Sequence, residues 1–236
     1  MNSEEDRNRA KFLSVQSAYD HWAAEYNDAD PSTLLDEPFL LAMIQPLEGC
    51  RVLDLGCGTG RYLGLVSRRS KRVVGLDLSR GMLQRARRER EDANPVDWVQ
   101  ASVEQLPFSE ASFDRVMSGL VLDHVQNLNA FFRGVAGVLK RDGRAVITAI
   151  HPQMQRLTGS FVQFSAAGRE YHTQGTIHEV SDIVGAIHQA GLSVENIQEP
   201  RVDQELIACR PAWRDRSGCP ALLMLALTHS HGSSIA

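Results

Sequence analysis

Val52-Leu53-Asp54-Leu55-Gly56-Cys57-Gly58-Thr59-Gly60 is an apolar run holding one acid that passes directly into three alternate glycines. Glycine lacks a Cβ, so it accepts positive φ and lets a ligand lie almost against the backbone. Between a strand and a helix, such a turn presents the unpaired N–H groups of the helix start as a polar cradle. The stretch therefore predicts a nucleotide-type site at the carboxyl end of a buried strand.

The next strand supports this. Arg72 to Leu76 is apolar and closes on Asp77, about 20 residues past the turn, where nucleotide folds place an acid that accepts ribose hydroxyls. Capping the following helix is the competing role for Asp77, but Ser79 already offers a cap. A dinucleotide fingerprint reads G-x-G-x-x-G; here Arg61 occupies its third glycine position and Gly60 comes one residue early. Asp54 would sit poorly beside a pyrophosphate and suits an ammonium group.

The elements alternate outward from this core. Upstream, Phe12, Val15, Tyr19, Trp22 and Tyr26 recur at helical spacing. A second helix is expected over Thr33 to Ile44, with its cap in Asp30-Pro31-Ser32. After the strand Arg51 to Leu55 come a helix (Arg61 to Arg69), the Asp77 strand, and a Ser79-capped helix to about Glu91. Strands follow at Val96 to Ala101 and Phe113 to Gly119, then a helix at Leu128 to Leu139. Arg141-Asp142-Gly143 reads as a turn into the strand Arg144 to Ile150. A helix (Glu179 to Ala190) and two strands (Ser193 to Glu199, Ala221 to Thr228) complete the pattern, and His229 to Ala236 reads as a frayed tail. Strand–helix alternation implies a parallel sheet covered on both faces, and the last two strands lack a crossover helix, which implies an antiparallel pair.

Composition narrows the function. The 236 residues are 43% hydrophobic and 23% charged with net charge −4, so no basic footprint for nucleic acid is present. No apolar run approaches the ~20 residues of a membrane span, and Met1 to Arg9 is too polar for a signal peptide. A cytoplasmic location is the expectation. Cys50, Cys57, Cys209 and Cys219 form no C-x-x-C pair, which suits reduced thiols, with Cys57 a small apolar filler. Arg80 to Arg90 is interrupted by Glu89 and reads as a solvated helix face. His229 and His231 have no further ligand residues nearby in sequence, so no metal is expected.

With these motifs the chain resembles the class I S-adenosylmethionine-dependent methyltransferases, in the group that includes small-molecule and ubiquinone-biosynthesis enzymes. The likeness rests on Val52–Gly60, Val73–Ser79, Gln105-Leu106-Pro107-Phe108, Phe113-Asp114-Arg115-Val116 and Leu139–Gly143, in the family's order. It implies an α/β, Rossmann-like sheet of seven strands, mostly parallel with an antiparallel last strand, and helices on both faces. It implies S-adenosyl-L-methionine as cofactor, with Gly56, Gly58 and Gly60 around its methionine and ribose, Asp54 beneath, and Asp77 and Leu78 at the ribose. Ser102 and Val103 stand where the family usually has an aspartate and a small residue reading the adenine edge. Ser118 matches a position facing the methionine end, and Tyr19 and Tyr26 match a tyrosine-bearing lid helix.

The resulting division is one methyltransferase domain over 1–236: an N-terminal helical lid (1–48), a cofactor-binding core (49–150), a substrate-side insert (151–178) and the last part of the sheet (179–236). The partner is a small-molecule methyl acceptor, with no nucleic acid and no membrane. A phenol or amine acceptor calls for a general base. Three histidines are candidates, His124, His178 and, ranked first, His151 at the carboxyl end of a strand; Tyr19 and Tyr171 stand in reserve. Phe161, Phe164, Tyr171 and His172 in the insert suit a planar or apolar acceptor, either as a surface hairpin or as a roof over the pocket. The reading is methyl transfer to oxygen or nitrogen. Its alternatives are C-methylation of a quinone-like ring, tRNA methylation (disfavoured by the acidic charge), cofactor binding without turnover and, more distantly, a dinucleotide oxidoreductase.

Overall fold

The apolar runs on either side of the glycine turn do form neighbouring strands. A computed structural model describes residues 11–26, 35–90, 95–159, 161–166 and 169–230. Among these, the main sheet has seven strands: β2 (Arg51–Leu55), β3 (Arg72–Asp77), β4 (Val96–Gln100), β5 (Phe113–Gly119), β6 (Leu139–Ile150), β9 (Leu192–Gln198) and β10 (Leu222–His229). Their spatial order is β4-β3-β2-β5-β6-β10-β9. β2 to β6 pair in parallel, and β10 lies antiparallel between β6 and β9.

The two faces of the sheet are written in the alternation of its strands. Along β2, Leu53 and Leu55 join a core with Phe131, Phe132 and Val135 of α5 (Leu128–Val138) and Ile183 and Ile187 of α7 (Val180–Gln189). Val52 points the other way, into a core with Leu40 of α2 (Glu37–Met43), Leu63 and Val66 of α3 (Leu63–Val66) and Leu83 of α4 (Arg80–Glu89). Successive strand residues face opposite sides, so helices must cover both. Each large apolar side chain so buried contributes about 1.5 to 3 kcal/mol. Asp54 lies on the Val52 side, fully buried.

Several local expectations are corrected. The helix expected over Arg61 to Arg69 is regular only at Leu63–Val66, with turns on either side. Arg141-Asp142-Gly143 falls inside β6. There, pairing jumps from Phe113 with Leu139 to Arg115 with Arg144, so 140–143 bulge out rather than turn between elements. His229 ends β10 and its Nε2 contacts the carbonyl of Leu139 at 3.0 Å, so the tail begins later than expected; His231 lies outside the described residues. The cap expected in Asp30-Pro31-Ser32 also lies outside them.

At the amino-terminal end, Ser14 caps α1 (Val15–Trp22), accepting from Ser17 N at 3.3 Å. Phe12 belongs to β1 (Lys11–Phe12) and Tyr26 lies beyond the helix. β1 pairs with a hairpin formed by β7 (Phe161–Ala166) and β8 (Arg169–Gln174), which makes a second, three-stranded sheet. A helix, α6 (Pro152–Thr158), precedes the hairpin, and α8 (Gln204–Cys209) lies between β9 and β10. No helix among the described residues is long and apolar enough to cross a membrane.

Candidate functional site

The glycine turn is tied to its neighbour by backbone bonds. Gly56 N and Cys57 N donate to Leu76 O at 2.8 and 3.0 Å. Asp77 continues the tie: Oδ2 accepts from Gly58 N and Oδ1 from Ser79 N, both at 2.8 Å. Ser79 caps α4 with its own hydroxyl, accepting from Met82 N at 3.1 Å, so Asp77 is not needed for that task. Each carboxylate oxygen keeps a further lone pair, and Asp77 lines the cavity above. Burial raises its pKa, opposed by the two N–H donors and by the nearby His124.

The three glycines serve different ends. Gly56 and Gly58 have φ of 72° and 54° and line the cavity. A Cβ on Gly58 would meet open space, whereas on Gly60 it would come within 2.8 Å of the Trp98 ring. Gly60 is absent from the cavity wall and permits close packing instead. Beneath the turn, both carboxylate oxygens of Asp54 are buried without a hydrogen-bond partner among the described residues. Burial pushes its pKa up to about 8; Arg61 works against this, and Asp77 and Asp36 add to it. The Cys57 thiol is likewise pushed up by burial, as expected for a filler rather than a nucleophile.

A cavity of about 420 Å³ runs across the carboxyl ends of four strands. Ser102 and Val103 follow β4, Asp77 and Leu78 follow β3, Gly56 and Gly58 follow β2, and Gly119, Leu120 and Val121 lie at the end of β5. The strand order reverses between β2 and β5, the switch point where open α/β sheets bind ligands. α1 closes one side with Val15 and Tyr19, and Tyr26 lies just beyond it.

Tyr19 and His124 meet in this wall. The Tyr19 hydroxyl is 2.8 Å from His124 Nε2, and the rings pack edge to face at 5.2 Å. His124 ends a short 3-10 turn after β5 (Leu122–His124), and its Nδ1 is buried without a hydrogen-bond partner among the described residues. Burial holds the Tyr19 hydroxyl well above its ordinary pKa, with Tyr26, Asp123 and Asp77 acting in the same direction.

The structure does not bring His151 to the same place. Its Nε2 is 3.0 Å from Glu199 Oε1, and its Nδ1 accepts from Gln153 N at 3.1 Å, which caps α6. With both ring nitrogens engaged and no part in the cavity wall, it serves structure in this arrangement. Ser118 is also buried beneath the wall, with its hydroxyl donating to Leu55 O; Gly119 and Leu120 line the cavity in its stead. His178 bonds the carbonyl of Val125 through Nε2 at 2.8 Å and faces a separate cleft. Among the described residues, the insert likewise contributes none to the cavity wall. Phe164 stacks between Trp22 and Tyr171 at 4.9 and 5.4 Å, so the hairpin braces α1 from behind.

Sequence reasoning missed Arg61, Met82, Glu104, Gly119 and Leu120 as wall residues. In the sequence, Arg61 reads as a missing third glycine and as the start of a helix. Gly119 carried a legible signal as a glycine ending a strand, since a Cβ there would clash at 2.1 Å with the Tyr62 hydroxyl.

A seven-stranded sheet in this order, with its ligand cavity over a glycine turn and an acid at the end of the next strand, defines a class I methyltransferase fold. The family model described as a methyltransferase domain matches residues 53–147. A crystal structure of an S-adenosylmethionine-dependent methyltransferase from Mesorhizobium loti superposes with a TM-score of 0.68 at 25% identity, covering 85% of this chain and 98% of that one. An uncharacterized methyltransferase of Emericella nidulans is 27% identical over 86% of both chains. A ubiquinone biosynthesis O-methyltransferase of Methylocella silvestris is 34% identical over 54% of this chain, and the match spans 48% of that protein's own length. The chain thus carries a methyltransferase domain and is similar over most of its length to S-adenosylmethionine-dependent methyltransferases, and S-adenosylmethionine is its cofactor.

Proposed function

We propose that the enzyme transfers a methyl group directly to an oxygen or nitrogen of a small aromatic or apolar molecule, with Tyr19 and His124 taking the acceptor's proton. The observation that carries this reading is the 2.8 Å contact between the Tyr19 hydroxyl and His124 Nε2 in the wall of the cavity over the glycine turn. The relative named as an O-methyltransferase agrees with an oxygen acceptor.

The residues present fit the cofactor. Asp77 has acceptor lone pairs for two ribose hydroxyls, open space stands over Gly58, and the unpartnered Asp54 carboxylate meets an ammonium. Ser102 and Val103, with Leu78, form the adenine end of the wall, and the Ser102 hydroxyl accepts from an amino group there. Tyr26, in the cavity wall, closes the methionine end. When bound, the cofactor supplies a sulfonium methyl already activated for transfer.

The chain's own work is then to position the acceptor, exclude water and move one proton. α1, braced by the Phe164 hairpin, places Tyr19 over the cavity and keeps water out. Burial keeps the Tyr19 phenol neutral, so its oxygen accepts the acceptor's proton as its own passes to His124. Positioned proton transfer of this kind contributes about 10²- to 10⁴-fold. On this reading the N-terminal segment is a lid, and the 151–178 insert governs acceptor access through the lid rather than by touching the acceptor.

Labelled-methyl uptake across a panel of phenols, amines and carboxylic acids tests the proposal. For the best acceptor, His124→Ala and Tyr19→Phe should each lower kcat by about 10²-fold while S-adenosylhomocysteine still binds. Wild-type kcat in both variants would refute the proton path.

A further inference from the structure

Arg61 is the one lysine or arginine in the cavity wall among the described residues. It is held with unusual care. Asp36, fully buried, accepts from Nη1 and Nη2 through Oδ1, both at 3.2 Å. The guanidinium carbon stands 4.1 Å from the centroid of the Tyr62 ring. The other oxygen of Asp36 accepts from the Tyr62 hydroxyl at 2.7 Å and from the Thr148 hydroxyl. Three separate segments thus converge to fix one guanidinium: the start of α2, the turn before α3, and β6.

A buried ion pair is weak as a source of stability, because desolvation cancels much of the attraction. It is effective at aiming a planar fork of donors, which suits a carboxylate. The surroundings say which carboxylate. Arg61 follows the glycine turn directly, and the Tyr62 hydroxyl fills the space that a Cβ on Gly119 would need. That places Arg61 toward the β5 end of the cavity, away from Ser102 and Val103 beyond β4. Under the same turn lies Asp54, with two unpartnered oxygens. A fixed cation in the wall, with a carboxylate that lacks hydrogen-bond partners buried beneath the same turn, matches a zwitterion.

We propose that Arg61, positioned by Asp36, binds the carboxylate of the cofactor's methionine end, opposite the Asp54 that binds its ammonium. The inference rests on the reading that the cofactor lies over the glycine turn with Asp77 at the ribose. Asp36 touches no ligand; it is a positioning residue acting through Arg61, with Tyr62 and Thr148 holding it in turn. The residue that replaces the third glycine of a dinucleotide site thereby recognises an amino-acid carboxylate, which a dinucleotide lacks.

Calorimetric titration with two ligands decides the matter: S-adenosylhomocysteine, and 5′-methylthioadenosine, which keeps the adenosine and thioether but has no amino-acid end. Arg61→Gln should weaken S-adenosylhomocysteine by about 10- to 100-fold, the range for a hydrogen bond to a charged group, and leave methylthioadenosine unchanged. Asp36→Asn should show the same selectivity with a smaller loss, about 5-fold. Retained methylthioadenosine binding also reports that each variant is folded. Should Asp36→Asn not fold, Thr148→Val loosens Asp36 without touching Arg61 and is expected to show the same selectivity. Equal losses for both ligands, or no loss for either, in Arg61→Gln would overturn the carboxylate role while leaving the cofactor site in place. A wild-type protein that binds neither ligand would overturn the cofactor reading and this inference together.

Discussion

Asp54 carries a local cost in the ligand-free protein. Its carboxyl has no partner among the described residues and burial raises its pKa from 3.8 to about 8. Between those values the folded protein keeps a proton that the unfolded chain has lost. Stability of the ligand-free protein therefore falls as pH rises through that window. Asp54→Asn should flatten this dependence in denaturant titrations at a series of pH values; an unchanged slope would contradict it. Binding of an ammonium beside Asp54 favours the ionised form, so S-adenosylhomocysteine binding at neutral pH should release a proton. Calorimetry in buffers of differing ionisation enthalpy reads that proton directly. His151 gives the opposite case. Both its ring nitrogens are engaged outside the cavity, so His151→Ala should leave kcat near wild type and lower stability by about 0.5 to 2 kcal/mol through the lost cap. A large fall in kcat with stability intact would restore it as a base.

At the scale of elements, α1, proposed above as a lid, has two attachments. Asp20 accepts from the Ser79 hydroxyl and Gly81 N at 2.6 and 2.8 Å, placing a carboxylate at the amino end of α4, where the helix dipole favours it. On its other side, Trp22 and Tyr171 sandwich Phe164. The two attachments predict different defects. Asp20→Ala should speed S-adenosylhomocysteine release by about 5-fold, the equivalent of one modest hydrogen bond, as read by stopped-flow fluorescence of Trp22. Phe164→Ala removes a buried ring and should cost about 3 to 5 kcal/mol in chemical denaturation. Unchanged release in the first variant would mean that α1 does not gate the cavity.

For the whole molecule, the sheet was legible because its signals are local and repeated. β2, β3 and β5 are apolar runs bounded by Asp77, Gly56 or Gly119, and the structure gives them the expected span to within a residue. Arg141-Asp142-Gly143 misled because the residues that make a turn also make a bulge, and only the pairing partner distinguishes the two. The role of the insert was hidden for another reason. Aromatic residues announce burial but not what they are buried against, and Phe164 meets Trp22 across more than a hundred residues of chain. The hold of Asp36 on Arg61 was equally out of reach, since nothing in either neighbourhood points to the other. Asp54, Gly56, Gly58 and Asp77 could be read together because they crowd into one strand–turn–strand unit. His124 and Tyr19 were each visible as candidates, but their meeting is a product of the fold.

On the proposed reading, the glycine turn, with Asp77 beside it and Arg61 after it, is shaped for an adenosyl amino acid and not for a dinucleotide. Calorimetric titration of the purified protein with S-adenosylhomocysteine and, separately, with NADH addresses it most directly. Saturable binding of S-adenosylhomocysteine at a single site, lost in Asp77→Ala, is expected, with no binding of NADH. Saturable NADH binding with none of S-adenosylhomocysteine would contradict it.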